Sequence, residues 1–411
     1  MSSVAPGKVQ ASQGVYLIAG MLAPSQAALT TLIVVQTLAA AVLVARLVRG
    51  LLRPAPVQPV RPLSSNNGAI SVVVATLNEA ERIGPCLRGL AQQGPALREV
   101  IVVDSHSADG TAALVARAAR DDARFRLVTD PPLPDGWIGK VWALQHGLEG
   151  ATAEWILGID ADTEPQPGMV DAVLFAARRY GFDAVSFAPR FAGLNGPQRW
   201  LQPALLTTLV YRFGPPGTGK RLMANGQCFL VRRDVLLRHG GYAPARASFA
   251  DDVTLVRHLA AKGVRVGFLD GADIISVRPY RTAREMWREW GRSIDLKDTT
   301  TPLRHWLDVL FLVLVQGMPL IALAVALAFW SRDRLFAVAF GLNALLVAIR
   351  LAFQAALVHS YDRTGILFWS SVLADPLACL RIVMSSIRRP TQWRGRQYAS
   401  RDALRAPRTR K

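Results

Sequence analysis

Three short apolar runs decide the fold: ISVVVATL at residues 70–77, EVIVVD at residues 99–104 and EWILGID at residues 154–160. Each run is rich in β-branched residues, and helix-length stretches separate the runs. Two further runs, DAVSFA at 183–188 and CFLVRR at 228–233, extend the pattern. Strands that alternate with helices form βαβ units, so the sequence predicts an α/β fold with a mainly parallel sheet. Such sheets bind ligands at the carboxyl ends of their strands.

The composition is that of a large folded chain that also enters a membrane. Of 411 residues, 51% are hydrophobic, and 48 Lys and Arg against 30 Asp and Glu give a net charge of +18. These values exclude a disordered or collagen-like chain. The 3 cysteines are scattered singly, which predicts free thiols and no disulfide framework or zinc site.

Apolar segments outside the α/β region predict membrane helices. Residues 27–45 are uncharged and about as long as a hydrocarbon core requires, so we expect a transmembrane helix at about 27–49. A cleaved signal peptide fits less well, because arginines follow the run. Two later runs, 309–331 and 335–358, are separated by a short charged turn and predict a transmembrane hairpin.

The run at 365–387 is ambiguous because it contains Asp375-Pro376 and Arg381. It could span the membrane, re-enter it or lie in the interface. The tail at 388–411 holds 9 basic residues and 1 acid, a composition that attracts anionic headgroups, and we expect a membrane partner rather than nucleic acid. Arginines after the first helix place the α/β domain in the cytoplasm. A spanning 365–387 would force the tail outside, so we expect an interfacial or re-entrant segment and a cytoplasmic tail.

These segments divide the chain into six parts, with no internal repeat. The predicted parts are an N-terminal region at 1–53, a Pro-rich linker at 54–68, the α/β domain at 69–302, a transmembrane hairpin at 303–358, a further hydrophobic segment at 359–387 and the basic tail at 388–411.

Polar side chains follow the predicted strands. The first strand leads into Thr76 and Glu79, the second ends in Asp104, and the third ends in Asp160 with Asp162 two residues on. Strand ends of this kind suit a nucleotide, and two carboxylates brought together by a turn suit an oxygen-seeking cation. The alternative is a pair of exposed acids in an ordinary turn.

Two adjacent acids, Asp251 and Asp252, precede a stretch with helical spacing of apolar residues. One interpretation is that both favour the positive N-terminal end of a helix. The other is that one of them acts as a general base, with its pKa raised by its neighbour.

Five motifs in order resemble the family 2 glycosyltransferases of the GT-A fold over about residues 69–300. They are VVVATLNEAERI, VIVVDSHSADGT, GIDADTEP, NGQCFLVRRDVLLRHGGY and ADDVTLVRHLAAKG. The segment GWIGKVWA at 136–143, together with the basic tail, is similar to a membrane-bound subgroup that includes hopene-associated and carotenoid glycosyltransferases.

The resemblance implies a role for each candidate on the donor side. Thr76, Glu79 and Asp104 would contact the uridine of a UDP-sugar. Asp160 would hold the ribose or a metal-bound water, and Asp162 would bind Mn²⁺ or Mg²⁺, so both form the predicted metal site. Lys140 would act on the diphosphate as a second cation.

The remaining candidates belong to the sugar and the acceptor. By the same resemblance Asp252 is the general base, with Asp251 beside it. The Asn225-Gly226 pair would let the backbone approach the sugar closely, and an ordinary turn is the alternative. Arg288 and Trp290 would lie near the acceptor and the diphosphate; interfacial anchoring by this Trp- and Arg-rich stretch is the alternative.

The sequence therefore predicts an integral protein of a bacterial inner membrane with a cytoplasmic catalytic domain. We expect it to transfer one sugar, with inversion, from UDP-glucose to the hydroxyl of a lipid such as a carotenoid or hopanoid. Alternatives are a polyprenyl-phosphate glycosyltransferase, a processive polysaccharide synthase and a non-catalytic nucleotide-sugar-binding scaffold. The processive motif Q-x-x-R-W is missing, and nothing in the sequence predicts the oligomeric state.

Overall fold

A computed structural model describes residues 25–61, 66–217, 222–293, 300–328, 334–387, 392–393 and 396–397. Most of the predicted basic tail, 388–411, lies outside the described residues, as do residues 1–24 and part of the Pro-rich linker.

The described residues form a seven-stranded central sheet. In spatial order its strands are β3 (Phe125–Thr129), β2 (Leu97–Asp104), β1 (Ile70–Thr76), β4 (Trp155–Asp160), β8 (Cys228–Arg232), β6 (Ala184–Ala188) and β9 (Val266–Asp270). The neighbours pair in parallel, apart from β8, which is antiparallel to both β4 and β6. A smaller sheet has the order β5 (Thr163–Pro165), β10 (Ile275–Val277) and β7 (Arg190–Phe191).

Helices cover both faces of the central sheet. They are α2 (Ile83–Ala91), α3 (Thr111–Asp121), α4 (Gly139–Gly150), α5 (Met169–Tyr180), α7 (Arg233–Arg238) and α8 (Asp251–Ala261). Two further helices, α6 (Gly196–Phe213) and α9 (Ala283–Ser293), pack in a separate buried cluster with residues 311–315 and 374–382. Side chains of β1 alternate between two buried clusters, with Val72 and Val74 in one and Val73 in the other. A strand buried on both faces is a near-continuous apolar run, which is why the motif at 70–77 could be recognised.

The sheet register places the predicted polar groups at one edge. Thr76, the last residue of β1, lies opposite Asp104 of β2, and Ala75 lies opposite Asp160 of β4. The carboxyl ends of these three parallel strands therefore meet at one place, as the sequence predicts.

The other helices are long and apolar or flank such segments. They are α1 (Gln26–Val48), α10 (Pro302–Leu312), α11 (Pro319–Ala328), α12 (Arg334–Ala356), α13 (Ile366–Trp369) and α14 (Asp375–Ile387). In the described part of the chain, three segments are long and apolar enough to cross a membrane: Gln26–Leu51, Arg334–Ala356 and Ile366–Ile387.

The first half of the predicted hairpin is broken. A π-helix at Val313–Gly317 follows α10, and the joined helix Pro302–Gly317 is bent by 50° from α11. Pro319 begins α11 and has no N–H to continue the preceding helix, which accounts for the position of the break. The side-chain amide of Gln36 in α1 donates to the Leu314 carbonyl (2.9 Å) and to Asn343 of α12 (2.8 Å), so the three segments are joined inside the helical layer.

Both ends of the 366–387 segment contact the α/β domain or the chain that directly follows it. Near its start, the Trp200 indole of α6 donates to the Ser370 carbonyl (3.1 Å). Near its end, the Arg381 guanidinium donates to the Trp287 carbonyl of α9 (2.7 Å). Ser386 lies 2.8 Å from the ring of His305, close to the beginning of α10.

Candidate active site

A cavity at the carboxyl ends of β1 and β4 gathers most of the predicted site residues. Of the twelve candidates, nine line it: Glu79, Lys140, Asp160, Asp162, Asn225, Gly226, Asp251, Asp252 and Trp290. They come from segments spread over more than 200 residues, so only the fold brings them together. Among them are Asp162 and Asp252, to which the family resemblance assigns the cation and the proton of the acceptor.

The turn between β4 and β5 directs the first two carboxylates into the cavity. The Thr163 hydroxyl donates to the Asp160 carbonyl (2.8 Å), and the Arg278 backbone N–H donates to the Asp162 carbonyl (3.1 Å). In an extended strand, residues two apart would share a face but continue along the strand. The turn instead places both side chains at the end of β4.

Lys140 forms an ion pair within the cavity. Its Nζ lies 2.6 Å from Asp160 Oδ1, and the Lys140 side chain is only 17% exposed. Burial lowers the pKa of Lys140, but the carboxylates of Asp160, Asp251 and Asp252 outweigh that effect and raise the pKa above its ordinary value. Lys140 therefore stays charged, and Asp160 is its ion-pair partner.

Asp252 lies at the beginning of α8, and backbone N–H groups hold both of its carboxylate oxygens by hydrogen bonds. The Gly226 N–H donates to Oδ2 (2.8 Å), and the Val253 N–H donates to Oδ1 (2.7 Å). A Cβ at Gly226 would lie 3.2 Å from Lys140 Nζ, so glycine allows the backbone this close. Burial first, and the neighbouring Asp251 carboxylate second, raise the pKa of Asp252 to about 7.

The carboxylates of Asp160 and Asp162 fit a divalent cation whose other ligands are water and substrate phosphates. No group of three or more His, Cys, Asp or Glu among the described residues could hold a metal ion. However, Mg²⁺ is commonly held by one or two carboxylates, with substrate phosphates and water completing its shell. Asp162 and Asp160, adjacent at the cavity wall, are a donor set of this kind.

Thr76 and Asp104 are not among the residues that line the cavity. Asp104 is buried and accepts hydrogen bonds from the Thr76 hydroxyl (3.1 Å) and from the Ser107 hydroxyl (2.6 Å) and N–H (3.0 Å). The Asp104 carboxylate thus braces the loops that follow β1 and β2. Its contact with a uridine stays a prediction.

Arg288 also lies outside the cavity, in a surface groove beside it, with Arg82, Arg281 and Arg284. Trp290 is buried and lines the cavity. Residues two apart on a helix are separated by roughly 200° of rotation, so the side chains of Arg288 and Trp290 leave α9 on different faces. The sequence interpretation placed them together and overlooked this separation.

Arg82 and Glu285 are two of the cavity residues that the sequence analysis missed. Arg82, which follows β1, donates through Nη2 to Glu285 Oε1 of α9 (2.7 Å). Thr282 and Glu285 form the T-x-x-E signature of a helix start, with Glu285 N–H donating to the Thr282 hydroxyl (3.1 Å). That signal could have located the beginning of α9, although not the ion pair across the cavity.

One wall of the cavity is apolar, and no sequence motif predicted it. It consists of Phe191, Leu206, Leu209, Met223, Phe249 and Trp290. Only tertiary packing brings these side chains together, since they come from five different elements or loops.

Comparison with known proteins identifies the domain that carries most of this site. Residues 71–240 match the family model of glycosyl transferase family 2. The match ends before α8, so it includes Asp160 and Asp162 and leaves Asp252 outside. The match agrees with the resemblance drawn from the sequence motifs over these residues, whereas the hopene-associated and carotenoid subgroup stays a prediction.

Two of the curated relatives that match in part are named as glycosyltransferases. The chain is 33% identical over 93 residues to the lipopolysaccharide core biosynthesis glycosyltransferase LpsC of Rhizobium meliloti, covering 23% of this chain and 31% of LpsC. It is 23% identical over 222 residues to the glycosyltransferase AglE of Haloferax volcanii, covering 54% of this chain and 70% of AglE. The chain thus spans less than a third of LpsC.

A solved structure supports the fold. The mannosyltransferase PcManGT from Pyrobaculum calidifontis, in complex with GDP-Man and Mn²⁺, superposes with a TM-score of 0.50 at 21% identity, covering 86% of this chain and 99% of that chain. This similarity supports both the mixed α/β fold that the strand motifs predict and the GT-A fold that the family resemblance implies. The described residues also include three apolar helices that could be transmembrane.

Proposed function

We propose that this protein transfers a single sugar, with inversion, from a nucleoside-diphosphate donor to the hydroxyl of a membrane lipid. The observation that carries the proposal is that Asp162 and Asp252 line one cavity. The Asp162 carboxylate would bind the cation that accompanies the donor, and the Asp252 carboxylate would accept the proton of the acceptor hydroxyl. UDP-glucose as donor and a carotenoid or hopanoid as acceptor follow from the sequence resemblance.

The charge of the cavity supports a cation-dependent donor. Among the described lining residues, seven carry carboxylates and two carry basic groups. A diphosphate entering alone would be repelled, so a divalent cation held by Asp160 and Asp162 fits the site. PcManGT is described with both GDP-Man and Mn²⁺, in keeping with this proposal. When bound, such an ion supplies neutralisation of charge on the departing diphosphate.

Asp252 is the proposed general base. Its carboxylate takes the proton of the acceptor hydroxyl while the hydroxyl oxygen bonds to the anomeric carbon. The bond from that carbon to the diphosphate oxygen breaks, and the electron pair leaves with the nucleoside diphosphate. Attack opposite the leaving group inverts the configuration. The two backbone N–H groups on Asp252 hold its side chain in place for this step.

The proposal is tested by the product. Purified protein in vesicles of native lipid extract, supplied with radiolabelled UDP-glucose and Mn²⁺, should place label in the organic phase as a discrete glycolipid. Label in water-soluble material alone, or a ladder of saccharide lengths, would contradict single transfer to a lipid.

Transfer should depend on pH through Asp252. Because the base must be ionised and its pKa lies at about 7, kcat/KM should rise from about pH 6 to 8 and then level off. Asp251→Asn removes a like charge that raises this pKa, so the midpoint of the profile should move to lower pH. A midpoint that stays in place or moves to higher pH in Asp251→Asn would contradict the assignment.

The membrane arrangement that we propose places the GT-A domain in the cytoplasm. Arg46, near the end of α1, donates to the Tyr211 carbonyl of α6 (2.9 Å) and lies 3.8 Å from Asp308 of α10. The end of α1 and the start of α10 thus meet the domain at one level. Arginines at this level favour the cytoplasmic side.

We propose that residues 366–387 re-enter or lie in the interface and do not span. The support is that Ser370 near its start and Arg381 near its end both bond to the GT-A region. The basic tail would then remain cytoplasmic. Alkaline phosphatase fused after Lys411 should be inactive, and an active fusion would contradict this topology.

A further inference from the structure

The two halves of α9, the helix that carries Trp290, are held by different parts of the chain. We infer that Arg381 of α14 is a positioning residue, which fixes the second half of α9 through the space left open at Gly291. A side chain of the 366–387 segment therefore keeps one wall of the cavity in place. The contacts do not depend on the proposed function, whereas the loss of sugar transfer expected below rests on it.

The first half of α9 is anchored to the α/β domain. Arg82, which follows β1, donates to Glu285 Oε1 (2.7 Å) and to the Pro279 carbonyl (3.2 Å). The Arg281 N–H donates to the other carboxylate oxygen of Glu285 (2.8 Å). Glu285 lies in the first turn of α9, so these bonds do not fix Trp290, which is more than one turn further along the helix.

The second half of α9 is bonded to α14 through one guanidinium group. Arg381 donates through Nε to the Trp287 carbonyl (2.7 Å) and through Nη2 to the Arg288 carbonyl (3.3 Å). Its Cζ also lies 5.5 Å from the centre of the Trp287 ring, within the range of a cation–π contact. The planar fork of arginine makes these contacts together, which a lysine ammonium could not reproduce.

Gly291 leaves the space that this guanidinium occupies. It is buried and lies one turn after Trp287, and a Cβ built on it would overlap the Arg381 guanidinium. Glycine is less favourable than alanine inside a helix, so helix propensity does not explain this residue. The close approach of Arg381 does explain it, because a larger side chain would displace the guanidinium from the two carbonyls.

The helix that carries Arg381 is itself firmly placed. At the beginning of α14, Asp375 pairs with Arg350 of α12 (2.9 Å), and both side chains are buried. Separating such a pair would leave buried charges uncompensated, so the pair resists displacement. One turn after Arg381, the buried Ser385 hydroxyl accepts a hydrogen bond from Arg381 Nη1 (2.7 Å). The guanidinium is therefore oriented from its own helix as well as from α9.

Trp290 connects this joint to the cavity. It is 4% exposed, lines the cavity, and belongs to the same buried cluster as Met286 of α9 and Ala378 and Ile382 of α14. Without the Arg381 contacts, this turn of α9 would be held against α14 mainly by apolar packing, which is not directional. Trp290 would then shift within the cavity wall, and small displacements of groups that position a substrate lower the rate.

Hydrogen exchange of the full chain in vesicles of native lipid extract tests the joint directly. In Arg381→Ala and in Gly291→Ala, the amides of residues 287–293 should exchange at least about tenfold faster than in the parent protein, while those of the central sheet stay unchanged. Gly341→Ala is the matched control, because a Cβ at this position of α12 would meet no neighbouring group of the described residues within 4 Å. Unchanged exchange at 287–293 in both variants, or faster exchange over the whole chain, would overturn the inference.

The double variant Gly291→Ala with Arg381→Ala shows whether the two residues act through each other. Alanine at position 291 is expected to harm the parent protein only by displacing the guanidinium. It should therefore cause no further loss of exchange protection once the guanidinium is gone. Effects that simply add in the double variant would overturn the inference, since they would show that the two residues act independently.

The expected consequence for activity is a lower turnover with intact donor binding. In each single variant, kcat for glucose transfer to lipid should fall about tenfold or more, while the KM for UDP-glucose and the stoichiometry of UDP binding stay within about twofold. Arg363→Ala, at an exposed position between α12 and α13, should change neither. A kcat equal to that of the parent in both variants would overturn the positioning role. No transfer by the parent protein would overturn the proposed function instead, and hydrogen exchange would then decide the inference alone.

Discussion

Replacing Asp252 by asparagine should reduce sugar transfer by about a thousandfold or more, because the amide cannot accept the acceptor's proton and no other group takes over the role. Affinity for UDP in the presence of Mn²⁺ should stay within about threefold of the parent, since the substitution keeps the shape of the side chain. Steady-state transfer and equilibrium binding of UDP measure the two effects separately.

The matched control is Asp234→Asn. Asp234 also lies in the first turn of a helix, α7, but it pairs with Arg232 and Arg238 on the surface, away from the cavity. Asp234→Asn should leave transfer unchanged. This result would show that the loss in Asp252→Asn comes from the missing base and not from the removal of an acid in the first turn of a helix. Retained transfer in Asp252→Asn would remove this residue from the role of base.

Loss of the cation site should have a comparable effect by a different route. Asp162→Asn should lower transfer by about a hundredfold or more and weaken the Mn²⁺-dependent binding of UDP, because a neutral amide is a poorer ligand for a hard cation. Chelation of the divalent cation should abolish transfer by the unsubstituted protein, and added Mn²⁺ should restore it.

Glu164→Gln is the control for that experiment. Glu164 lies two residues from Asp162 in β5 and makes a surface ion pair with Arg278 (3.4 Å). Because Glu164 does not line the cavity, its substitution should change neither transfer nor UDP binding. Metal-independent transfer by the unsubstituted protein, or full activity in Asp162→Asn, would contradict the proposed cation site.

The sheet and the position of the site could be predicted because strand ends carry local signals. A buried parallel strand is a run of β-branched residues, and a polar residue at its end marks the ligand edge. The motif that contains Asp160 and Asp162 is therefore enough to locate one side of the cavity. That Asp160 and Asp162 share a cavity with Asp252 could be predicted only from the family resemblance, because no local sequence signal links residue 160 to residue 252.

Contacts between distant segments could not be predicted in the same way. The pairing of Lys140 with Asp160 depends on how α4 approaches β4, and the placement of Arg288 and Trp290 depends on the rotation of α9. The apolar wall brings together ordinary hydrophobic residues whose sequence positions carry no signal. Helix packing, rather than local propensity, decides each of these features.

The most direct measurement of the central claim is a structure of the Asp252→Asn variant with Mn²⁺ and an intact UDP-sugar. We expect the cation on Asp162 and the anomeric carbon between the diphosphate and the side chain at position 252, within reach of one hydroxyl group. A sugar bound with its anomeric carbon facing away from position 252, or a diphosphate held outside this cavity, would contradict the account.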